Sequence, residues 1–110
     1  MKFYKDDGKK FISSEKSQLI ELDSFLIELE KLPSSYQGNF IGLINNKAEA
    51  IQFIRFGENE WMIDIPVLDE GIFVYSLQDD SLTTEKVKEI TKKYFLEADW
   101  KYLCNLKRAP

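Results

Sequence analysis

No histidine occurs anywhere in the 110 residues of this chain. Its absence removes the side chain that most often moves protons near neutral pH. Ser-His-Asp and Cys-His nucleophilic arrangements go with it, as does every zinc site built on an imidazole. Cysteine is almost as scarce. Cys104 is the one thiol, so no intrachain disulfide framework can form. The five glycines, at positions 8, 38, 42, 57 and 71, are too dispersed for a phosphate-cradling loop, which argues against a nucleotide cofactor. No apolar run approaches the roughly 18 residues of a membrane span. The N-terminal stretch MKFYKDDGKKF also lacks the apolar core of a secretion signal. These absences lead to the expectation of a cytoplasmic protein with no membrane contact, no metal and no cofactor.

A further absence is regional. Between Arg55 and Lys86, thirty consecutive residues contain no lysine or arginine, yet they hold Glu58, Glu60, Asp64, Asp69, Glu70, Asp79, Asp80 and Glu85. That segment bears −8, while eleven acids and fifteen bases elsewhere leave +4. A field so divided in sequence can steer a basic partner, provided the fold gathers the acids on one surface.

What is present is globular. Apolar residues make up 44% of the chain and charged residues 31%, which is enough to bury one core and far from the composition of a disordered chain. At this length one domain is expected. Residues 1–17 read as a hairpin turning at Asp7-Gly8 or as a mobile arm, and Gln18–Leu22 could open a helix or form a strand, the local cues favouring a strand that ends at Leu22. Asp23 is placed as an N-cap, flanked by Leu22 and Ile27 as a hydrophobic staple. Phe25, Leu26, Leu29 and Leu32 then recur at helical spacing up to Pro33, predicting a helix over 23–32. Strands are predicted over 39–44, 48–56, 60–65 and 71–77. The connections between them, including Pro66 to Glu70, are too short for parallel crossovers. Thr83, with Leu82 and Val87 as its staple, opens a second helix over 83–96, and alternation over 98–106 predicts a closing strand. The sum is an α+β two-layer domain, a mainly antiparallel sheet of about five to seven strands with two helices.

Few residues offer chemistry. Cys104 falls in the alternating run with Trp100 and Tyr102 and reads as a packed, inert thiol. The carboxylate pairs Asp6-Asp7, Asp69-Glu70 and Asp79-Asp80 are read as turn residues, which bond their local backbone, ahead of metal or acid-base groups. The lysines at both ends of the chain, Lys5 among them, are read as solvated. With a pI near 4.9 they make a poor phosphate-directed field, so nucleic acid is not an expected partner. Surface recognition remains. The candidate partner-binding residues are the acids Glu58, Glu60, Asp64, Asp69, Glu70, Asp79 and Asp80, with the aromatics Trp61 and Tyr75 as anchors.

The order of elements also resembles a known family. A helix with Asp23-Ser24-Phe25-Leu26-Ile27-Glu28-Leu29, a meander through AIQFIRFGENEWMIDIPV, a glycine-led strand GIFVYSL, a helix ending near Tyr94 and a last strand bearing Trp100 resemble the small immunity proteins of bacterial polymorphic and contact-dependent growth inhibition toxin systems. The likeness runs over residues 18–106, and the lysine-rich N-terminal hairpin departs from it. The resemblance implies a non-enzymatic protein that binds and blocks one cognate toxin domain, often a nuclease or deaminase with a basic active site; alone, the chain is expected to be a monomer or weak dimer. It carries over no catalytic residue. An adaptor or regulatory subunit would share this composition and would differ in genomic neighbourhood. A small carboxylate-dependent hydrolase would need two carboxylates converging in an apolar cleft.

Overall fold

Alternation along the middle of the chain sorts side chains between two faces of a sheet. In β4 (Phe40–Ile44) and β5 (Ala50–Gly57), Ile41 lies opposite Phe53 and Leu43 opposite Ile51, and all four are buried. In β6 (Glu60–Asp69), Trp61 and Ile63 continue this buried row, and Leu82 of β7 (Ile72–Leu82) pairs with Trp61. Phe3 of β1 (Lys2–Asp6) extends the row on the other side, where β1 pairs with β4. The computed structural model describes residues 1–34 and 39–110. Among these residues the sheet has eight strands in the order β2-β1-β4-β5-β6-β7-β8, with β3 also beside β1 and every pairing antiparallel. Three of the strands, β2 (Phe11–Ile12), β3 (Gln18–Leu19) and β8 (Lys107–Arg108), are two residues long. They account for the excess over five.

Two helices, α1 (Leu22–Lys31) and α2 (Thr84–Phe95), cover one face of the sheet. Phe25 of α1 meets Phe3 edge-on at 6.5 Å and Phe95 of α2 at 6.0 Å. Phe25, Leu29, Val87 and Ile90 are completely or almost completely buried, each contributing about 1.5–3 kcal/mol by leaving water. α2 begins as expected, its N-cap Thr83 accepting a hydrogen bond from the Lys86 amide. α1 begins one residue earlier than expected. Its N-cap is Glu21, which makes no side-chain cap, and Asp23 lies inside the first turn. Ile27 is more than half exposed, so the expected staple is not made.

Three further expectations are corrected. Pro66 does not end β6, which runs on to Asp69. Pairing with β5 stops at Gln52↔Asp64, and beyond it β6 has an edge where proline's missing N–H costs no ladder bond. Residues 98–106 do not form a strand: Glu97 takes a positive φ of 55°, and a short 3-10 turn over Lys101–Leu103 follows. Trp100 is buried against Tyr94 instead, while Tyr102 is left exposed. Lys5, expected to be solvated, is buried, and its ammonium bonds Asp7 at 2.9 Å and Glu28 at 2.7 Å. Burial pulls its pKa down, but the two carboxylates outweigh that and leave it raised.

The sheet face away from the helices carries a polar row. Tyr4 Oη donates to Gln52 Oε1 at 2.8 Å, and Gln52 Nε2 donates to Asp64 Oδ2 at 2.8 Å. Gln78 Nε2 closes the row by donating to Asp64 Oδ1 at 2.6 Å. The four side chains come from β1, β5, β6 and β7, so Tyr4 must reach across β4. It does so over Gly42, where a Cβ would lie 2.1 Å from the Tyr4 ring. Burial, with the nearby Asp64 charge, pushes the Tyr4 hydroxyl up to about 12.

Candidate partner-binding site

The acid-only segment forms the hairpin of β6 and β7. Asp69 pairs with Ile72 around a two-residue loop, Glu70-Gly71, with φ of 50° and 80°. Positive φ at both loop positions is the type I′ geometry that matches strand twist. β8 pairs with β7 only at Leu77 and Gln78, and β5 leaves β6 at Asp64. The end of the hairpin therefore extends as a two-stranded ribbon beyond the rest of the sheet.

The ribbon is apolar yet uncovered. Leu68 is 53% exposed, Ile72 70%, Phe73 59% and Val74 49%. Leu68 and Phe73 stand opposite each other on one face and Ile72, opposite Asp69, on the other, so both faces of the ribbon are apolar behind a turn that carries the exposed carboxylates of Asp69 and Glu70, whereas isolated exposed hydrophobics carry no such meaning. Tyr75 stands at the base of the ribbon, half-buried, with the Arg108 guanidinium 4.3 Å above its ring.

The other expected binding residues do not join this surface. Glu58 and Glu60 are exposed at the β5–β6 turn, at the far end of β6 from Asp69, about 30 Å away at ~3.3 Å per residue. Asp80 is exposed toward that same far end, beside the irregular pairing between Trp61 and Ile63. Trp61 is not an anchor for a partner. It is fully buried, its Nε1 donates to Thr84 Oγ1 at 2.9 Å, and the Arg55 guanidinium lies 5.0 Å from its ring. Its parity with Ile63 and Ile65 was the available signal. Asp64 is buried in the polar row, and Asp79 is buried on the helix-covered side.

Asp79 sits within β7 and not in a turn. It accepts from the amide and hydroxyl of Ser81 at 2.9 and 2.7 Å and from the Asn105 amide at 2.8 Å. Burial opposes its charge, but these donors outweigh that and hold its pKa below the usual carboxylate value. Asp64 pairs opposite Gln78 and Asp79 opposite Ile63, so the two buried carboxylates point to opposite faces of the sheet. Cys104 is half-buried, and burial followed by the charge of Asp79 pushes its thiol up, away from the reactive thiolate. Among the described residues no group of three or more His, Cys, Asp or Glu side chains is placed to hold a metal ion. Among the described residues, too, no helix is long and apolar enough to cross a membrane.

No protein-family model, curated protein or solved structure matches this chain. The case for a site therefore rests on its own geometry. The apolar flanks of the ribbon were not among the expected binding residues. The signal that could have found them is Ile72-Phe73-Val74, three consecutive large apolar residues directly after the turn Asp69-Glu70-Gly71.

Proposed function

We propose that the chain is a non-catalytic binding domain that captures a basic protein partner on the β6–β7 ribbon, and that this partner is a toxin domain which it neutralises. One observation carries the binding part: a projecting hairpin end with four exposed large apolar residues and two carboxylates at its turn. Phe73 supplies an anchor of the type that dominates interfaces, and Asp69 and Glu70 supply a field that steers a basic surface onto it. The toxin part is supported by the resemblance in element order alone, and without its last strand at Trp100, which does not form. An adaptor subunit would use the same ribbon for another partner. The hydrolase alternative finds less support, since Asp64 and Asp79 face away from each other and each is already bonded.

The test is co-expression with the product of a neighbouring toxin-encoding gene, scored for rescue of growth, together with binding kinetics of ribbon variants. Phe73→Ala is expected to weaken the complex about tenfold or more. The Asp69→Lys, Glu70→Lys pair should slow association at least about tenfold at low salt. Thermal unfolding should be unchanged in both. Unaltered binding by these variants, with loss on replacing Glu58, Glu60 and Asp80, would move the interface to the other end of the hairpin. Absence of rescue and of any complex would overturn the proposal.

A further inference from the structure

A groove of about 410 Å³ lies between the two helices, on the layer that covers the sheet, lined by Leu26, Ile27, Glu30, Lys31, Lys88 and Lys92. Its apolar floor includes Ile27, which is more than half exposed, and the lysine stems add apolar walls. Lys88 is tied to Glu30 across the helices. Lys31 and Lys92 have no carboxylate partner among the described residues. The groove is thus apolar with two free positive charges at its rim. The ribbon end is apolar with two negative charges, from Asp69 and Glu70, at its turn.

We infer that these two surfaces are complementary and that the ribbon end of one copy docks in the helix groove of a second. The contact joins different patches of the two copies, so it is heterologous and propagates head to tail unless the rotation closes a ring. The net charge of −4 makes whole copies repel. Contact between opposite charges must overcome that repulsion, so association grows with concentration and weakens as salt screens the rim. The inference does not depend on the ribbon having a foreign partner. If it has one, the groove of a second copy competes for the same ribbon.

Sedimentation equilibrium on the full chain tests this across protein concentration, at low and at high salt. At low salt the average mass should climb above the monomer's 12.9 kDa as concentration rises, and high salt should reverse the climb. The groove variant Lys31→Glu, Lys92→Glu and the ribbon variant Asp69→Lys, Glu70→Lys, each folded by circular dichroism, should each remain monomeric alone. Mixed together they should associate, because the groove variant then carries two acidic surfaces and the ribbon variant two basic ones. A wild type that stays monomeric at every concentration, or a mixture that does not associate, overturns the inference. The groove variant keeps its ribbon intact. Capture of a toxin by that variant therefore reports on the proposed function separately, and the two can fail independently.

Discussion

Gly42→Ala adds one methyl group to the centre of β4, and its expected cost is set by what already occupies that space. The new Cβ would lie 2.1 Å from Tyr4 Cζ, 2.4 Å from Oη and 2.5 Å from Cε1, whereas carbon atoms pack at about 3.5–4.0 Å. The ring must move by more than an ångström, and it cannot do so while Oη stays 2.8 Å from Gln52 Oε1. Overpacking of this kind costs about 1–3 kcal/mol, and the broken buried hydrogen bond about 1 kcal/mol more. Replacing glycine by alanine at an ordinary backbone angle returns about 0.4–1 kcal/mol. The net expectation is a loss of about 1–3.5 kcal/mol, seen in urea as a midpoint lowered by about 0.5–2 M. The decisive arm is the same substitution in a Tyr4→Ala background. There the methyl group has room, so Gly42→Ala should be neutral or stabilise by about 0.4–1 kcal/mol, and the double-mutant cycle should show strong coupling. A cost below about 0.5 kcal/mol in the wild type, or an equal cost in both backgrounds, would refute the close approach of Tyr4 to β4.

Two further outcomes follow from the N-terminal hairpin and from the end of α1. Asp7 accepts from the Lys5 ammonium and from the Lys9 and Lys10 amides, and these bonds, that to Lys5 foremost, hold its carboxyl far below the usual range. A folded pKa below the unfolded value of about 3.9 gives stability that is complete above that pH and is lost as pH falls toward the folded value. Asp7→Asn should therefore unfold at a lower temperature than wild type at pH 7, with the gap narrowing on acidification below about pH 4; parallel curves would contradict the assignment. Arg55 donates to the carbonyls of Gly57, Leu32 and Glu58 at 3.1, 2.9 and 2.7 Å while lying over Trp61. One ammonium cannot serve that geometry, so Arg55→Lys should cost about 1–3 kcal/mol in chemical denaturation, and an unchanged midpoint would count against it.

Much of the fold is legible where local cues and packing agree. Thr83 caps α2 because Leu82 and Val87 on either side of it are both core residues. The alternation of β5 is visible because the helices bury the face with Ile51 and Phe53 and leave the other face partly open. Cues failed where the deciding fact was a distant neighbour. Pro66 reads as a stop, and only the early end of β5 makes it tolerable within β6. Asp23 reads as a cap, but α1 has to start at Leu22 to aim Phe25 and Leu29 inward. The binding residues divide in the same way. Charge along the chain does not reveal that β6 is long enough to carry Glu60 and Asp69 to opposite ends, nor that Asp64 is bonded by two glutamines. Those facts depend on register, which sets Asp64 opposite Gln52 in the β5–β6 pairing and opposite Gln78 in the β6–β7 pairing.

The hairpin that projects from the sheet has one end in the core and the other outside it. Trp61, Ile63 and Leu82 fix the inner end, whereas Leu68 through Val74 touch little of the interior. Substitutions in the outer half can therefore change what the surface recognises without drawing on the stability of the domain. Specificity and foldability are encoded in separate halves of the same two strands. A scaffold of this kind can be retargeted by drift at the exposed strand positions Leu68, Asp69, Ile72, Phe73 and Val74, with the turn Glu70-Gly71 kept for its positive φ, while its core stays as it is.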